Sequence, residues 1–198
     1  LNAHKINEGD LIQVKETGEI FYVNGGKRQP ISNFVKSQRF SQAGTKGVSQ
    51  SDVTQLPEGS FAEPLDGTLI KSANNPTVYF MYKGLRLPIT YQVFTMKGFS
   101  FASVVTLSET EINSWLPGSF LAPPDGSLLK TPSGPTVYWV VGGVLHPVNY
   151  GYYITRGLNV FPVSIISQND LKSFSKGEAF IADSPPLSAA QKRSKKNN

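Results

Sequence analysis

The chain contains no cysteine. Disulfides, thiolate zinc sites, iron–sulfur clusters and cysteine nucleophiles are thereby excluded, while the compartment stays open, because many exported bacterial proteins also lack cysteine. Histidine is almost as scarce, with His4 and His146 alone in 198 residues. One near the terminus and one in the interior give neither a Ser–His–Asp triad nor a zinc site its usual ligands. Charged residues make up 17% of the chain, below the usual quarter. No apolar run approaches the ~18–20 residues of a membrane-spanning helix, so no span is expected. The chain opens on Leu1 rather than methionine, so the signal peptide of an exported protein would already be gone.

What the chain has in quantity is turn formers and strand formers. There are 18 glycines and 14 prolines, with 11% aromatic residues, a composition of short strands and tight turns rather than long helices. The net charge of +5 invites a nucleic-acid reading until it is located. Lys192, Arg193, Lys195 and Lys196 account for four of the five charges. The basic character therefore belongs to a terminal segment, and no nucleic-acid partner is expected for the body.

Internal repetition organises the rest. Asp66-Gly67-Thr68-Leu69-Ile70-Lys71 recurs as Asp125-Gly126-Ser127-Leu128-Leu129-Lys130, and Pro76-Thr77-Val78-Tyr79 as Pro135-Thr136-Val137-Tyr138. Gly84, Pro88, Tyr91, Gly98, Ser108 and Gly118 match Gly143, Pro147, Tyr150, Gly157, Ser167 and Gly177 at the same spacing, without a gap. A more divergent first copy is visible in Gly9-Asp10-Leu11-Ile12, Phe21-Tyr22-Val23, Gly26, Pro30, Phe40-Ser41, Ser49 and Gly59-Ser60-Phe61. The expected organisation is an N-terminal extension over 1–8, repeats over 9–65, 66–124 and 125–183, and a disordered basic tail over 184–198. Terminal units of an array are often atypical because one side lacks a neighbour.

Each copy predicts the same local structure. A short strand follows the Asp-Gly turn, and a β-hairpin follows it: Thr77–Tyr82, a Lys83-Gly84 turn and Leu85–Ile89 in copy two. Glycine there supplies the positive φ of a tight turn. Pro30, Pro88 and Pro147 lack an N–H and should sit at strand ends or edges. Next comes a turn or two of helix ending at Gly98 or Gly157, then a brief strand. Ser49-x-x-Asp52, Ser108-x-x-Glu111 and Ser167-x-x-Asp170 are helix-capping signatures, the serine oxygen accepting from an orphan N–H. The helices after them carry Val53/Leu56, Ile112/Trp115 and Leu171/Phe174 on one apolar face. The fold class expected is β-rich α+β: three tandem units, each a hairpin with one or two further strands and short helices, stacked or pseudo-threefold.

Asp-Gly-Thr-Leu-Ile-Lys, Pro-Thr-Val-Tyr, a Gly turn, Pro-Ile or Pro-Val, a Ser-initiated helix and a closing Gly resemble a poorly characterised tandem repeat of exported prokaryotic proteins. That repeat runs approximately Gly-Thr-Leu-Val-Lys, Val-Tyr, Gly-Lys-Arg-Arg-Pro-Ile, and it accompanies surface-layer, adhesion or wall-lytic domains. The match covers most of residues 9 to 180. The basic pair before the proline survives only in part, as Lys27-Arg28 and Arg86, and Val144-Leu145-His146 replace it in copy three. The resemblance implies an extracellular or cell-surface location and a non-catalytic binding, adhesion or scaffold module. Its partners would be other surface proteins or cell-wall glycan, with assembly into oligomers open. A targeting module of a wall hydrolase and a structural subunit of a layer or filament are the alternatives.

Candidate chemistry reads mostly as scaffold. His146 fills a position held by Gln29 and Leu87 in the other copies, which suits a half-exposed strand better than catalysis. Asp66 and Asp125 lack the acidic cluster that calcium requires. Gly25-Gly26 and Gly142-Gly143 lack the Lys-Ser/Thr of a phosphate loop. No catalytic residue, metal or cofactor is expected. The candidate ligand-binding surface is aromatic and basic: Tyr82, Arg86, Tyr150, Tyr152 and Tyr153, since exposed rings stack on sugars or peptides.

Overall fold

The computed structural model describes residues 6–182; His4 and the segment 184–198, with Lys192–Lys196, lie outside them. The described chain carries three mixed sheets of four or five strands joined by short helices, a β-rich α+β architecture. Two compact units divide it, residues up to 87 with 104–118, and 88–103 with residues from 119 onward.

In copy one, β1 (Leu11–Val14), β2 (Ile20–Asn24), β3 (Lys27–Pro30), α1 (Asn33–Arg39), β4 (Lys46–Val48) and α2 (Gln50–Val53) follow in order. Copy two supplies β5 (Leu69–Ser72), β6 (Val78–Tyr82), β7 (Leu85–Ile89), α3 (Tyr91–Met96), β8 (Val104–Leu107), α4 (Glu109–Ser114) and β9 (Leu116–Pro117). Copy three supplies β10 (Leu128–Lys130), β11 (Val137–Val141), β12 (Val144–Val148), α5 (Tyr150–Thr155), β13 (Val163–Ile165) and α6 (Gln168–Ser173). The sheets run β3-β2-β1-β4, β12-β11-β10-β13 and β8-β5-β6-β7-β9. In each, the opening strand pairs antiparallel with the first hairpin strand and parallel with the strand after the helix. A parallel partner requires a crossover, and the hairpin plus its helix provide it.

The hairpin turns are built from two left-handed residues: Gly25 and Gly26 (φ 60° and 69°), Lys83 and Gly84 (50° and 74°), Gly142 and Gly143 (59° and 74°). Paired positive φ values match the right-handed twist of the strands. The Asp-Gly motif holds this turn from across the sheet. Gly67 N–H donates to Met81 O and Gly126 N–H to Val140 O, each at 2.8 Å. Asp66 Oδ1 accepts from Lys83 N at 2.7 Å and Asp125 Oδ1 from Gly143 N at 2.8 Å. In copy one Glu8 replaces the aspartate, accepting from Gly25 N and Gly26 N at 2.6 and 3.1 Å.

The serines expected as caps are caps: Ser49, Ser108 and Ser167 accept from Asp52, Glu111 and Asp170 N–H. Ser32, Thr90 and Asn149 do the same for α1, α3 and α5, a second capping position not anticipated. Val53, Ile112, Trp115, Leu171 and Phe174 are buried as the i, i+3 pattern implies. Trp115 satisfies its indole N–H on Phe61 O at 2.8 Å. The cores gather Ile12, Phe21 and Val48, then Ile70, Met81 and Leu107, then Leu128, Trp139 and Val148. Burying each such side chain contributes about 1.5–3 kcal/mol.

Every copy closes in the same way. Gly59, Gly118 and Gly177 N–H donate to the carbonyls of Arg28, Arg86 and Leu145, and Ala62, Leu121 and Phe180 N–H to Pro30, Pro88 and Pro147, all at 2.8–3.0 Å. The proline that cannot donate is thus used as an acceptor. A Cβ on the glycine would press on the residue before that proline, 3.3 Å from Gln29 Cγ, 3.0 Å from Leu87 Cδ1 and 2.7 Å from His146 Nδ1. The closing glycine recurs because the chain runs directly over that side chain.

Candidate functional site

The repeat proline fixes where Arg86 lies, and its side chain turns inward. Arg86 Nε donates to Trp115 O at 3.1 Å, with the guanidinium 5.3 Å from the Tyr79 ring centroid. Arg28 does the equivalent in copy one. Its Nη1 donates to Val53 O and Leu56 O, Nη2 pairs with Glu58 at 3.0 Å, and the guanidinium lies 5.8 Å from the Phe21 centroid. The basic position therefore ties down the carbonyls that α2 and α4 leave without intrahelical donors. Copy three has a fully buried Leu145 there. Arg86 is a scaffold residue first, tying β7 to the end of α4.

The tyrosines separate. Tyr82 ends β6 at 44% exposure, with Lys83 Nζ 5.1 Å from its centroid. Tyr150 opens α5 at 78% exposure. Tyr152 corrects the sequence expectation: it is 1% exposed, in the third core with Trp139 and Phe180, and offers no ring face to a ligand. Tyr153 is half-buried against the same core. Tyr82 and Arg86 belong to one compact unit and the α5 tyrosines to the other. The repeat itself contains the signal for the burial of Tyr152. Tyr152 aligns with Val35 and Val93, three residues past their caps Ser32 and Thr90, and both are buried.

His146 is held by structure. Its ring stacks on Phe180 at 4.4 Å and 7°, and Nδ1 lies 2.9 Å from Glu178 O. Among the described residues no three of His, Asp and Glu come together as a metal set, and no helix is long and apolar enough to cross a membrane. A groove of about 500 Å³ in the first unit is lined by Phe21, Arg28, Pro30, Glu58 and Phe61, but its cation already serves the α2 carbonyls and Glu58.

Burial is the main influence on two side chains. It pushes the Glu111 carboxyl upward, partly offset by a hydrogen bond from Ser32, and leaves Oε1 without a partner. It pushes Lys97 downward, opposed by the Asp125 charge.

The surface differs between copies at four matched positions. Counting from the helix caps, the first and fifth helical residues are Asn33 and Ser37, Tyr91 and Thr95, then Tyr150 and Ile154. Counting back from the parallel strand, the loop positions are Gln42 and Ala43, Phe101 and Ala102, then Val160 and Phe161. All twelve residues are exposed. Because the scaffold keeps these positions outside in every copy, folding does not dictate their polarity. Copy one is mostly polar there, while copy three presents Tyr150, Ile154, Val160 and Phe161 at 78, 43, 74 and 53% exposure. Phe101 in copy two is also exposed, although it stacks on Phe94 at 4.3 Å.

No protein-family model matches the chain, and no curated protein matches it. Among solved structures it is similar to a chain of an intact ESX-5 inner membrane complex, with 12% identity and a TM-score of 0.26, over 94% of this chain and 55% of that one. It is likewise similar to a chain of the periplasmic assembly from the ESX-5 inner membrane complex, with 14% identity and a TM-score of 0.27, over 96% and 63%. The chain thus spans less than two thirds of the length of either.

Proposed function

We propose that the chain is a non-catalytic binding or scaffold module of an exported, cell-surface-associated prokaryotic protein, organised as repeats over 9–65, 66–124 and 125–183. The observation that carries this reading is the division of labour among residues. Many of those shared between copies are committed to turns, caps and tethers: Asp66 and Asp125 to the hairpin, Ser108 and Ser167 to helix starts, Arg28 and Arg86 to helix ends. Copies one and three differ at all four matched positions that stay exposed in every copy. Repeated scaffold with variable outward residues suits recognition, in which several shallow contacts add avidity. Sedimentation of the full chain with isolated bacterial cell envelopes tests the reading. Co-sedimentation is expected; a chain left wholly in the supernatant would refute it.

Glycan binding is the second reading, favoured by the outward rings of Tyr82, Tyr91 and Tyr150, which suit stacking on sugar faces. Titration with soluble wall fragments should then shift the ring resonances of Tyr150 while leaving buried Tyr152 unmoved.

A further inference from the structure

We infer that the groove of copy one binds a cationic side chain, lysine or arginine, of a peptide partner, with the aliphatic stem on its apolar walls and the charge at Glu19 and Glu58. The inference rests on the binding-module reading and names the chemistry that one site of the module takes. Every residue lining the groove belongs to the first compact unit. Its volume of about 500 Å³ is that of a small-ligand pocket. Among the lining residues Phe21 and Val53 are buried and Ile31 and Phe61 half-buried, which gives the groove its apolar walls. Glu19 and Glu58 line it as well, and both are exposed.

Charge narrows the occupant. Two carboxylates line the groove against one cation, Arg28. Arg28 spends Nη1 on Val53 O and Leu56 O and meets Glu58 through Oε2. Glu19 Oε2 is bonded by the Thr17 hydroxyl at 3.0 Å, a partner with no charge to set against it. The lining is left with one negative charge uncompensated, and with Oε1 of each carboxylate unbonded among the described residues. The fold does not require this pair. The sheet registers place Thr77 and Thr136 where copy one has Glu19, and Pro117 and Lys176 where it has Glu58. Sugar hydroxyls carry no charge to answer the carboxylates, and a bare metal ion gains nothing from the apolar walls. A lysine or arginine side chain suits both parts, because its stem covers apolar surface while its head makes charge-assisted hydrogen bonds.

The test is fluorescence anisotropy of a labelled peptide of alternating leucine and lysine, titrated with the full chain beside the same peptide with its lysines ε-acetylated. The parent is expected to bind the charged peptide about tenfold more tightly than the acetylated one. Glu19→Thr, which installs the residue of both other copies, should weaken binding with its melting midpoint kept. Combined with Glu58→Gln, the loss should reach about tenfold. Asp170→Asn with Glu178→Gln in copy three controls for net charge and should leave the affinity unchanged. Methyl resonances of Ile31 and Val53 should move on adding peptide, while those of Leu129 in copy three stay. Equal binding of the acetylated peptide, unchanged affinity in the double variant, an equal loss in the copy-three variant, or unmoved Ile31 and Val53 methyls would each overturn the inference. Sedimentation with cell envelopes, run in parallel, separates the two levels. A parent that sediments with envelopes but does not bind the lysine peptide loses the groove's partner and keeps the binding-module reading. Failure in both removes both.

Discussion

Gly177 passes under the imidazole of His146 so closely that a Cβ there would sit 2.7 Å from Nδ1, while the ring is stacked on Phe180 and held at Glu178 O. Gly177 shows no positive φ, so its requirement is space rather than backbone freedom. In copies one and two the overlying groups stand farther off, Gln29 and Lys27 at 3.3 Å or more from Gly59 and Leu87 at 3.0 Å from Gly118. Gly177→Ala should therefore cost the most, about 2 kcal/mol or more, followed by Gly118→Ala and then Gly59→Ala. Urea midpoints of the three variants check this order.

The carboxylate clamp on the hairpin predicts a structural cost without metal dependence. Asp66→Ala and Asp125→Ala should each lose about 1 kcal/mol, since a turn N–H loses its acceptor. Added calcium or EDTA should leave the parent's melting midpoint where it was, because each aspartate is occupied with the turn. A calcium-dependent rise in the midpoint would contradict the clamp.

Glu111 makes stability fall as pH rises. Its folded-state value lies above the ordinary 4.5, mainly through burial, so the folded protein holds this proton more tightly than the unfolded chain. The penalty is absent below the ordinary value and grows as pH rises from there through the raised folded value. Asp10 has the opposite sign. The Asn7 N–H at 2.8 Å, opposed by burial and helped by Lys46, lowers its value, so its contribution is lost as pH falls. Glu111→Gln should raise the urea midpoint at pH 7.5 and change it little at pH 4, with the slope between those values flattened relative to the parent.

Helix caps are equivalent by position and should be equivalent in energy. Ser108→Ala and Ser167→Ala should each cost about 1 kcal/mol, and Thr90→Ala a similar amount. Chemical denaturation reads all three.

The hairpins, their glycine turns and the serine caps of α2, α4 and α6 were legible in the sequence because each rests on local chemistry repeated at a fixed spacing. Less legible was anything that depends on the phase of a helix. Tyr150, Tyr152 and Tyr153 look alike in the sequence, yet Tyr150 is outward and Tyr152 is core, because Asn149 fixes where α5 begins. Aligning Asn149 with Ser32 and Thr90 would have separated them. Arg86 read as an open basic residue because its acceptor, Trp115 O, comes from a helix end remote in sequence. Glu8 escaped notice as the counterpart of Asp66 because a longer side chain performs the same task.

In the proposed function, repeated residues build the scaffold and exposed residues that differ between copies carry recognition. The most direct measurement pairs stability with envelope binding in the variant that gives copy three the four surface residues of copy one. A melting stability within about 0.5 kcal/mol of the parent, together with lost co-sedimentation with cell envelopes, is the predicted result. Full binding by a stably folded variant would contradict it.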